Sequence, residues 1–304
     1  MFSLFRQEIL PVEVYGKLPI AKDYLRVGCS EGAGQAWRGW LDAGYSGSAA
    51  GSFPTLAAPL RFTTGSVWGE PLVGLLWPSS DAGGLRKFPL TFLVERRLKP
   101  ARADAAAGFP TARALWRELA ALKRSAETRP DGAAFLAAVR GRELDVETLA
   151  PAHGERFDFT SWKVAIDGAS SGLASLLARL EELRRGGPRP LLRLPLVSNL
   201  DPLEQAHAWC HLCAELGLLH GAELPALLFP ADESDAGTAA FVVLATRPFQ
   251  PADVEWLAPP TGTTGRAGDL CDGTPRHAPL VRESSLPLAT SLLGAYHAQF
   301  GRRG

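Results

Sequence analysis

Three short apolar segments lie close together in the first third of the chain and restrict its fold more than any other feature. They are "APLRFTTG" (58–65), "PLVGLLWP" (71–78) and "FPLTFLVE" (88–95). The connections between them are shorter than the crossover of roughly a dozen residues that a parallel strand pair needs. The sequence therefore predicts an antiparallel meander, and its third strand is apolar enough to be buried on both faces.

The meander is flanked by further predicted elements. A strand is expected over 12–15, and helices over 31–43 and 111–127, where leucines and tryptophans recur at helical spacing. Shorter helices are expected within 131–150. These elements define a predicted N-terminal domain, residues 1–150.

The second half alternates in the same way. We predict strands over 159–167 and 189–198, helices over 170–185 and 201–216, a hairpin from 224–230 and 238–248, and a short helix over 251–257. Residues 151–258 are thus a predicted α/β subdomain, and 259–304 a flexible arm with a terminal helix over 287–300. The predicted fold class is α+β or mixed α/β, an antiparallel-rich sheet flanked by helices with a second α/β half.

Composition restricts the classes of partner and compartment. Lysine plus arginine and aspartate plus glutamate number 32 each, so no overall basic charge favours nucleic acid or an anionic membrane. The chain has no apolar run of about 18 residues and no secretory signal pattern near its start. Its four cysteines are scattered, which is untypical of a disulfide framework. We expect a cytoplasmic protein without membrane insertion.

One motif suggests hydrolysis. "GASSG" (168–172) matches the Gly-x-Ser-x-Gly nucleophile elbow, with Ser170 at its centre, a predicted strand before it and a predicted helix after it. Asp201 and several histidines follow in the order that a serine hydrolase requires. The alternative is that Asp167, Ser170 and Ser171 cap the following helix. A phosphate-binding loop is disfavoured because the Gly-Lys-Ser/Thr ending is absent.

A second motif suggests metal binding. In "HAWCHLC", His207, Cys210 and His211 would share one face of a helix. The metalloprotease pattern HExxH is absent, and cysteine on an amphipathic helix is usually a buried apolar residue. We therefore assign no metal and no cofactor, and keep this cluster as an alternative.

Two segments resemble a known family. "YGKLPIAKDY" (15–24) and "LLWPSSDAGGLRKFPLTFLVE" (75–95), with "AWRGWLDAG" (36–44) between them, are similar to the signature motifs of TagF proteins of type VI secretion systems. Lys22 stands where the family has glycine, Tyr24 where it has phenylalanine, and the second motif is one residue longer through Gly83–Gly84. Apart from the resemblance, the pattern of Gly16, Pro19 and Asp23 predicts a tight turn after a strand.

The resemblance implies a function without catalysis. TagF proteins are post-translational repressors of type VI secretion, thought to act on a forkhead-associated scaffold protein, and their fold is a longin-like α/β/α sandwich. The resemblance implies that the motif positions form a binding surface: Tyr15, Gly16, Lys17, Leu18, Pro19, Asp23, Pro78, Ser79, Asp81, Arg86, Phe88 and Pro89. Of these, Gly16, Pro19, Phe88 and Pro89 are expected to define the fold.

Overall fold

The computed structural model describes residues 9–47, 56, 58–65, 68–96, 109–145, 159–169, 172–186, 191–197, 200–219, 226–230 and 241–257. Its strands are β1 (Ile9–Pro11), β2 (Glu13–Gly16), β3 (Leu25–Val27), β4 (Leu60–Thr64), β5 (Leu72–Trp77), β6 (Leu90–Glu95), β7 (Glu143–Asp145), β8 (Leu191–Pro195), β9 (Ala226–Pro230) and β10 (Phe241–Ala245). Its helices are α1 (Gly32–Gly47), α2 (Phe109–Glu127), α3 (Gly132–Val139), α4 (Phe159–Ala169), α5 (Leu173–Arg185), α6 (Pro202–Glu215) and a 3-10 helix (Pro251–Leu257).

The chain divides into two compact units that interleave along the sequence. Unit 1 comprises Met1–His153, Ala222–Thr238 and Pro248–Pro259, and unit 2 comprises Gly154–Gly221, Ala239–Arg247 and Pro260–Gly304. The domain boundaries expected at residues 150 and 258 stay predictions.

Unit 1 contains the predicted meander. Its strands lie in the order β3–β2–β6–β5–β4–β9, and each neighbouring pair is antiparallel. A separate antiparallel pair joins β1 to β7. Within the meander, Phe62 on β4 lies opposite Gly74 on β5. A Cβ at Gly74 would overlap the Phe62 ring, so the glycine leaves the space that this ring fills.

Helices cover both faces of this sheet. Trp37 on α1 stacks on Phe62 at 4.0 Å between ring centroids, and its Nε1 donates to Thr91 Oγ1 on β6 at 3.4 Å. The next residue, Phe92, packs edge-on against Phe135 of α3 at 6.0 Å. Because successive side chains of a strand point to opposite faces, α1 and α3 lie on opposite sides of the sheet. The prediction of an antiparallel sheet flanked by helices is confirmed.

The second unit is organised around one glutamine. Gln205 of α6 is fully buried, and its Oε1 accepts from Trp162 Nε1 at 3.2 Å and from the Val197 amide at 2.7 Å. Its Nε2 donates to the carbonyls of Val197 at 2.9 Å and Leu200 at 3.0 Å. The four bonds tie α4 and the segment after β8 to α6, while β8 pairs antiparallel with β10.

Most predicted elements are confirmed, with two exceptions. Within 131–150, where shorter helices were expected, only α3 is a helix among the described residues, and Glu143–Asp145 form strand β7, which pairs with β1, so that part of the prediction was wrong. Gly141, with φ +72°, follows the end of α3 and breaks the helical stretch.

Residues 159–167, predicted as a strand, are part of helix α4, so that prediction was wrong. Trp162 and Ile166 are buried one helical turn apart, whereas Val164 is 66% exposed. Apolar residues at every second position suggested a strand, but burial follows the helical period. The predicted arm and terminal helix lie outside the described residues.

Helix α6 begins with a side-chain cap. Asp201 Oδ1 accepts from the backbone amides of Leu203 at 2.8 Å and Glu204 at 3.3 Å, and Pro202 occupies the first turn. This satisfies helix-terminal donors that would otherwise lack a partner.

We predict that Gln205→Leu destabilises the protein. The substitution keeps the side-chain volume but removes the four hydrogen bonds that Gln205 makes to Trp162, Val197 and Leu200, which costs about 3 kcal/mol or more. Urea unfolding followed by tryptophan fluorescence measures the effect. Gln35→Leu, the same substitution at an exposed position of α1, is the matched control and should change stability by less than about 0.5 kcal/mol. Equal losses in the two variants would refute the role given to Gln205.

Candidate interaction surface

The two motif segments meet where strand β2 ends. Gly16 has φ +141°, and a Cβ there would overlap the carbonyl oxygen of Pro89 and lie 2.7 Å from Leu90 Cα. Both the backbone angle and the lack of space therefore require glycine at this position. The chain then turns at Pro19, where the Ala21 amide donates to the Leu18 carbonyl at 3.0 Å.

Hydrogen bonds join the first segment to the second. Ser79 Oγ donates to the Lys17 carbonyl at 2.6 Å, and the Ala82 amide donates to the Ala21 carbonyl at 3.0 Å. Residues about 60 positions apart in sequence therefore form one structural corner, here called the motif corner (residues 15–24 and 78–89).

Asp81 is the central acceptor of the motif corner. Its carboxylate accepts from Arg86 Nε at 2.6 Å and from the backbone amides of Leu85 at 3.2 Å and Arg86 at 3.3 Å. The side-chain bond from Arg86 holds the pKa of Asp81 below its ordinary value of 3.8, although burial opposes the shift. The loop 81–86 is thus closed around a charged carboxylate at neutral pH.

Lys17 is a buried cation beside this carboxylate. Its side chain is 1% exposed, with Nζ 3.8 Å from Asp81 Oδ2 and 4.5 Å from the centre of the Tyr24 ring. Burial and the nearby Arg86 lower the pKa of Lys17, whereas Asp81 opposes that shift. A buried ammonium group needs a nearby carboxylate or aromatic ring, and Lys17 has both. Its interactions therefore stabilise the interior of the motif corner.

Aromatic rings fill the space under the corner. Tyr15 stacks on Tyr24 with 5.5 Å between centroids, and Phe88 meets both rings edge-on. The Tyr15 hydroxyl donates to Asp42 Oδ1 of α1 at 2.5 Å. Burial, followed by this bond to a carboxylate, raises the pKa of Tyr15, which keeps the phenol protonated as a donor.

Two of the three departures from the family motif, Lys22 and the additional residue, are accommodated without strain in the described backbone. Cys29 is the one non-glycine residue with positive φ in the part of the chain that the structure describes, so Lys22 needs no left-handed backbone. The Lys22 carbonyl instead accepts from Arg86 Nη2 at 3.2 Å. Gly84, in the extended second motif, has φ +68° and open space around it. The additional residue therefore lengthens an exposed turn.

A cleft of about 430 Å³ opens beside the motif corner. Its wall is mainly apolar, and two charged side chains, Lys87 and Glu127, line it as well. The other lining residues are Leu18, Pro19, Tyr45, Leu56, Pro78, Ser79, Ser80, Gly84, Phe88 and Pro89.

Exposure separates the predicted binding residues into two groups. The buried group consists of Tyr15, Gly16, Lys17, Leu18, Asp81, Phe88 and Pro89, whereas Pro19, Asp23, Pro78 and Arg86 are exposed and Ser79 is half-buried. The sequence did not single out Lys22, Tyr24, Leu85 and Lys87 as binding residues, yet all four are exposed at the same corner. Apolar Leu85 directly after Gly83–Gly84 in a polar turn was a signal that could have identified this surface.

The alternative hydrolase site lacks its expected context. The element before Ser170 is helix α4, whereas a nucleophile elbow follows a strand. Asp167 Oδ1 accepts from the Leu173 amide at 2.7 Å and thereby caps α5, as the alternative reading expected. Ser170 itself lies outside the described residues.

The alternative metal cluster is on α6, as predicted. Cys210 is buried there, and His207 and His211 are half-buried. Among the described residues, no three His, Cys, Asp or Glu side chains are grouped so that they could hold a metal ion. Burial raises the pKa of neighbouring Cys213 to about 12, so its thiol is protonated. None of the described helices has the length and apolar character to cross a bilayer.

Comparisons with known proteins point to the region that contains the motif corner. Residues 13–140 match the model of the TagF N-terminal domain, described as type VI secretion system-associated. No curated protein sequence matches the chain significantly. The crystal structure of PA0076 from Pseudomonas aeruginosa PAO1 is similar at a TM-score of 0.40 and 18% sequence identity, covering 83% of this chain and 95% of that chain.

We predict that Gly16→Ala opens the motif corner. The added methyl group combines left-handed backbone strain with overlap against β6, so stability should fall by about 3 kcal/mol or more. Gly69→Ala is the matched control because Gly69 has φ +107° but nothing within 4 Å of its would-be Cβ. Its loss should be about 1 kcal/mol. Thermal unfolding measures both variants, and similar losses would contradict the packing argument.

Asp81→Asn should lower the melting temperature at neutral pH because Lys17 and Arg86 lose their shared carboxylate. The pKa of Asp81 is lowered in the folded state, so its contribution is present above the ordinary value of 3.8 and disappears as the pH falls through the folded value. The difference from wild type should therefore stay constant from neutral pH down to about pH 5 and shrink only as the pH falls below about 4, where carboxylates titrate. Asp23→Asn, at an exposed carboxylate, is the control. A difference that does not depend on pH would contradict this account.

Proposed function

We propose that this chain is a non-enzymatic regulator of a bacterial type VI secretion system, because residues 13–140 match the model of the TagF N-terminal domain, described as type VI secretion system-associated. It acts after translation as a repressor, by binding a cytoplasmic component such as a forkhead-associated scaffold protein. The interaction surface is the motif corner, and no bond is made or broken in the partner.

The observation that carries this proposal is the joining of the two family motifs into one corner. Ser79 bonds to Lys17, and Arg86 bonds both to Asp81 and to the Lys22 carbonyl. A surface held in place before binding loses less conformational entropy when a partner docks, which supports affinity without catalysis. The buried motif residues hold the shape, and the exposed ones are available for contact.

Deletion and complementation test the repressor role. Removing the gene from its own bacterium should raise type VI secretion, and the wild-type chain should restore the low level. Ser170→Ala should repress as well as wild type, whereas Asp81→Asn should repress less because it loosens the corner. Immunoblotting of both variants controls for protein level. Unchanged secretion after deletion, or loss of repression in Ser170→Ala, would count against the proposal.

Capture from the same cells tests the partner. The tagged full chain should enrich type VI secretion proteins, with a forkhead-associated scaffold among them, as identified by mass spectrometry. A fluorophosphonate probe should leave the purified chain unlabelled. Stoichiometric labelling at Ser170 would instead support a serine hydrolase.

A further inference from the structure

We propose that the motif corner docks an acidic polypeptide segment of the partner that also carries a large apolar side chain. This inference rests on the proposed function and specifies the chemistry of the partner. The occupant is a protein segment whose carboxylates lie on the exposed cations of the corner while its apolar residue enters the adjacent cleft.

The charge of the corner differs from that of the chain. The whole sequence is neutral, with 32 basic and 32 acidic residues, but the motif corner holds four basic residues and two acidic ones. Lys17 is buried, so the exposed basic residues are Lys22, Arg86 and Lys87, against one exposed acid, Asp23. One of the two acids, Asp81, is buried against Lys17 and Arg86. The exposed charge is therefore mainly positive and complements an acidic partner.

The exposed cations all belong to the motif corner, two of them side by side and the third at the cleft. Arg86 keeps its side chain 64% exposed while its Nη2 reaches the Lys22 carbonyl, which brings these two residues side by side. Lys87 follows in sequence and lines the cleft together with Pro19. A segment that lies across Lys22, Arg86 and Lys87 therefore reaches the cleft without leaving the surface.

Apolar groups lie beside these cations. Leu85 is 86% exposed at the tip of the turn, and Tyr24 is 45% exposed. The cleft of about 430 Å³ offers Leu18, Pro19 and Phe88 as apolar walls. Exposed apolar groups with a charged rim are typical of protein–protein contact sites.

These features favour a polypeptide over the other polyanions. Nucleic acid offers phosphates and flat bases, and the Tyr24 ring that could stack on a base already contacts Tyr15, Phe88 and Lys17. A concave cleft with proline walls fits a single apolar side chain, whereas a bilayer surface selects an amphipathic element that projects from the protein.

Selection from a phage-displayed library of random 12-residue peptides on the immobilised full chain tests this inference. Enriched peptides should carry net negative charge and at least one leucine, methionine or aromatic residue. In fluorescence anisotropy, the most enriched peptide should bind Lys22→Glu/Lys87→Glu at least about tenfold more weakly than wild type, a loss typical of reversed rim charges. Leu85→Asp should weaken binding similarly.

The matched control is Arg117→Glu/Arg140→Glu, which reverses two exposed charges, one on α2 and one at the C-terminal cap of α3. It should bind the peptide as wild type does, and circular dichroism should show that all variants are folded. Neutral or basic enriched peptides, no enrichment, or equal binding by both double variants would overturn the inference. Tighter lysine-dependent binding of a 20-nucleotide oligothymidine or of phosphatidylglycerol vesicles would overturn it too.

The result is separable from the test of the proposed function. If the wild-type chain captures type VI secretion proteins but selects no acidic peptides, the docking chemistry is wrong and the proposed function stands. If capture from cells fails, the proposed function itself is refuted. If both hold, Lys22→Glu/Lys87→Glu should lose the captured scaffold, and Arg117→Glu/Arg140→Glu should retain it.

Discussion

The carboxylate of Asp81 is the interaction on which the motif corner depends. It accepts bonds from the Arg86 side chain and two backbone amides, and it lies beside the buried ammonium of Lys17. Without this carboxylate, the buried ammonium of Lys17 would lose its nearby counter-ion, and the exposed Arg86 would lose the acceptor that holds it in place. The charge network and the tight contact of Gly16 with β6 therefore explain why these residue types stand at these positions of the two motif segments.

Buried and exposed residues of the motif corner have different roles in the proposed binding surface. Lys17 and Asp81 are buried, whereas Arg86 remains exposed. In the proposed binding, the two buried residues therefore act by positioning Arg86. Leu85 and Lys87 are the residues best placed for contact, because both are exposed in or next to the turn that the charge network closes. Buried residues thus fix the conformation of the motif corner, and its exposed surface is basic and partly apolar.

Much of unit 1 could be predicted because local patterns and tertiary contacts agree there. The short connections within 58–95 allow little except an antiparallel meander, and Trp37 was expected on an apolar helix face that is now seen against Phe62. At α4 the pattern was ambiguous, since Trp162 and Ile166 fit both a strand face and a helix face. The glycine pair before Leu85 is a local signal for an exposed turn, whereas the contacts of this turn with Lys17 and Lys22 join segments about 60 residues apart and could not be predicted locally.

Hydrogen–deuterium exchange of the full chain, alone and with its captured secretion partner, tests the central claim most directly. In the free protein, the amides of Ala82 and Phe88 should already exchange slowly, because both donate within the motif corner. Partner binding should add protection in peptides covering 17–26 and 78–89. Fast exchange of these amides in the free protein, or added protection confined to other segments such as 159–216, would contradict a preorganised docking corner.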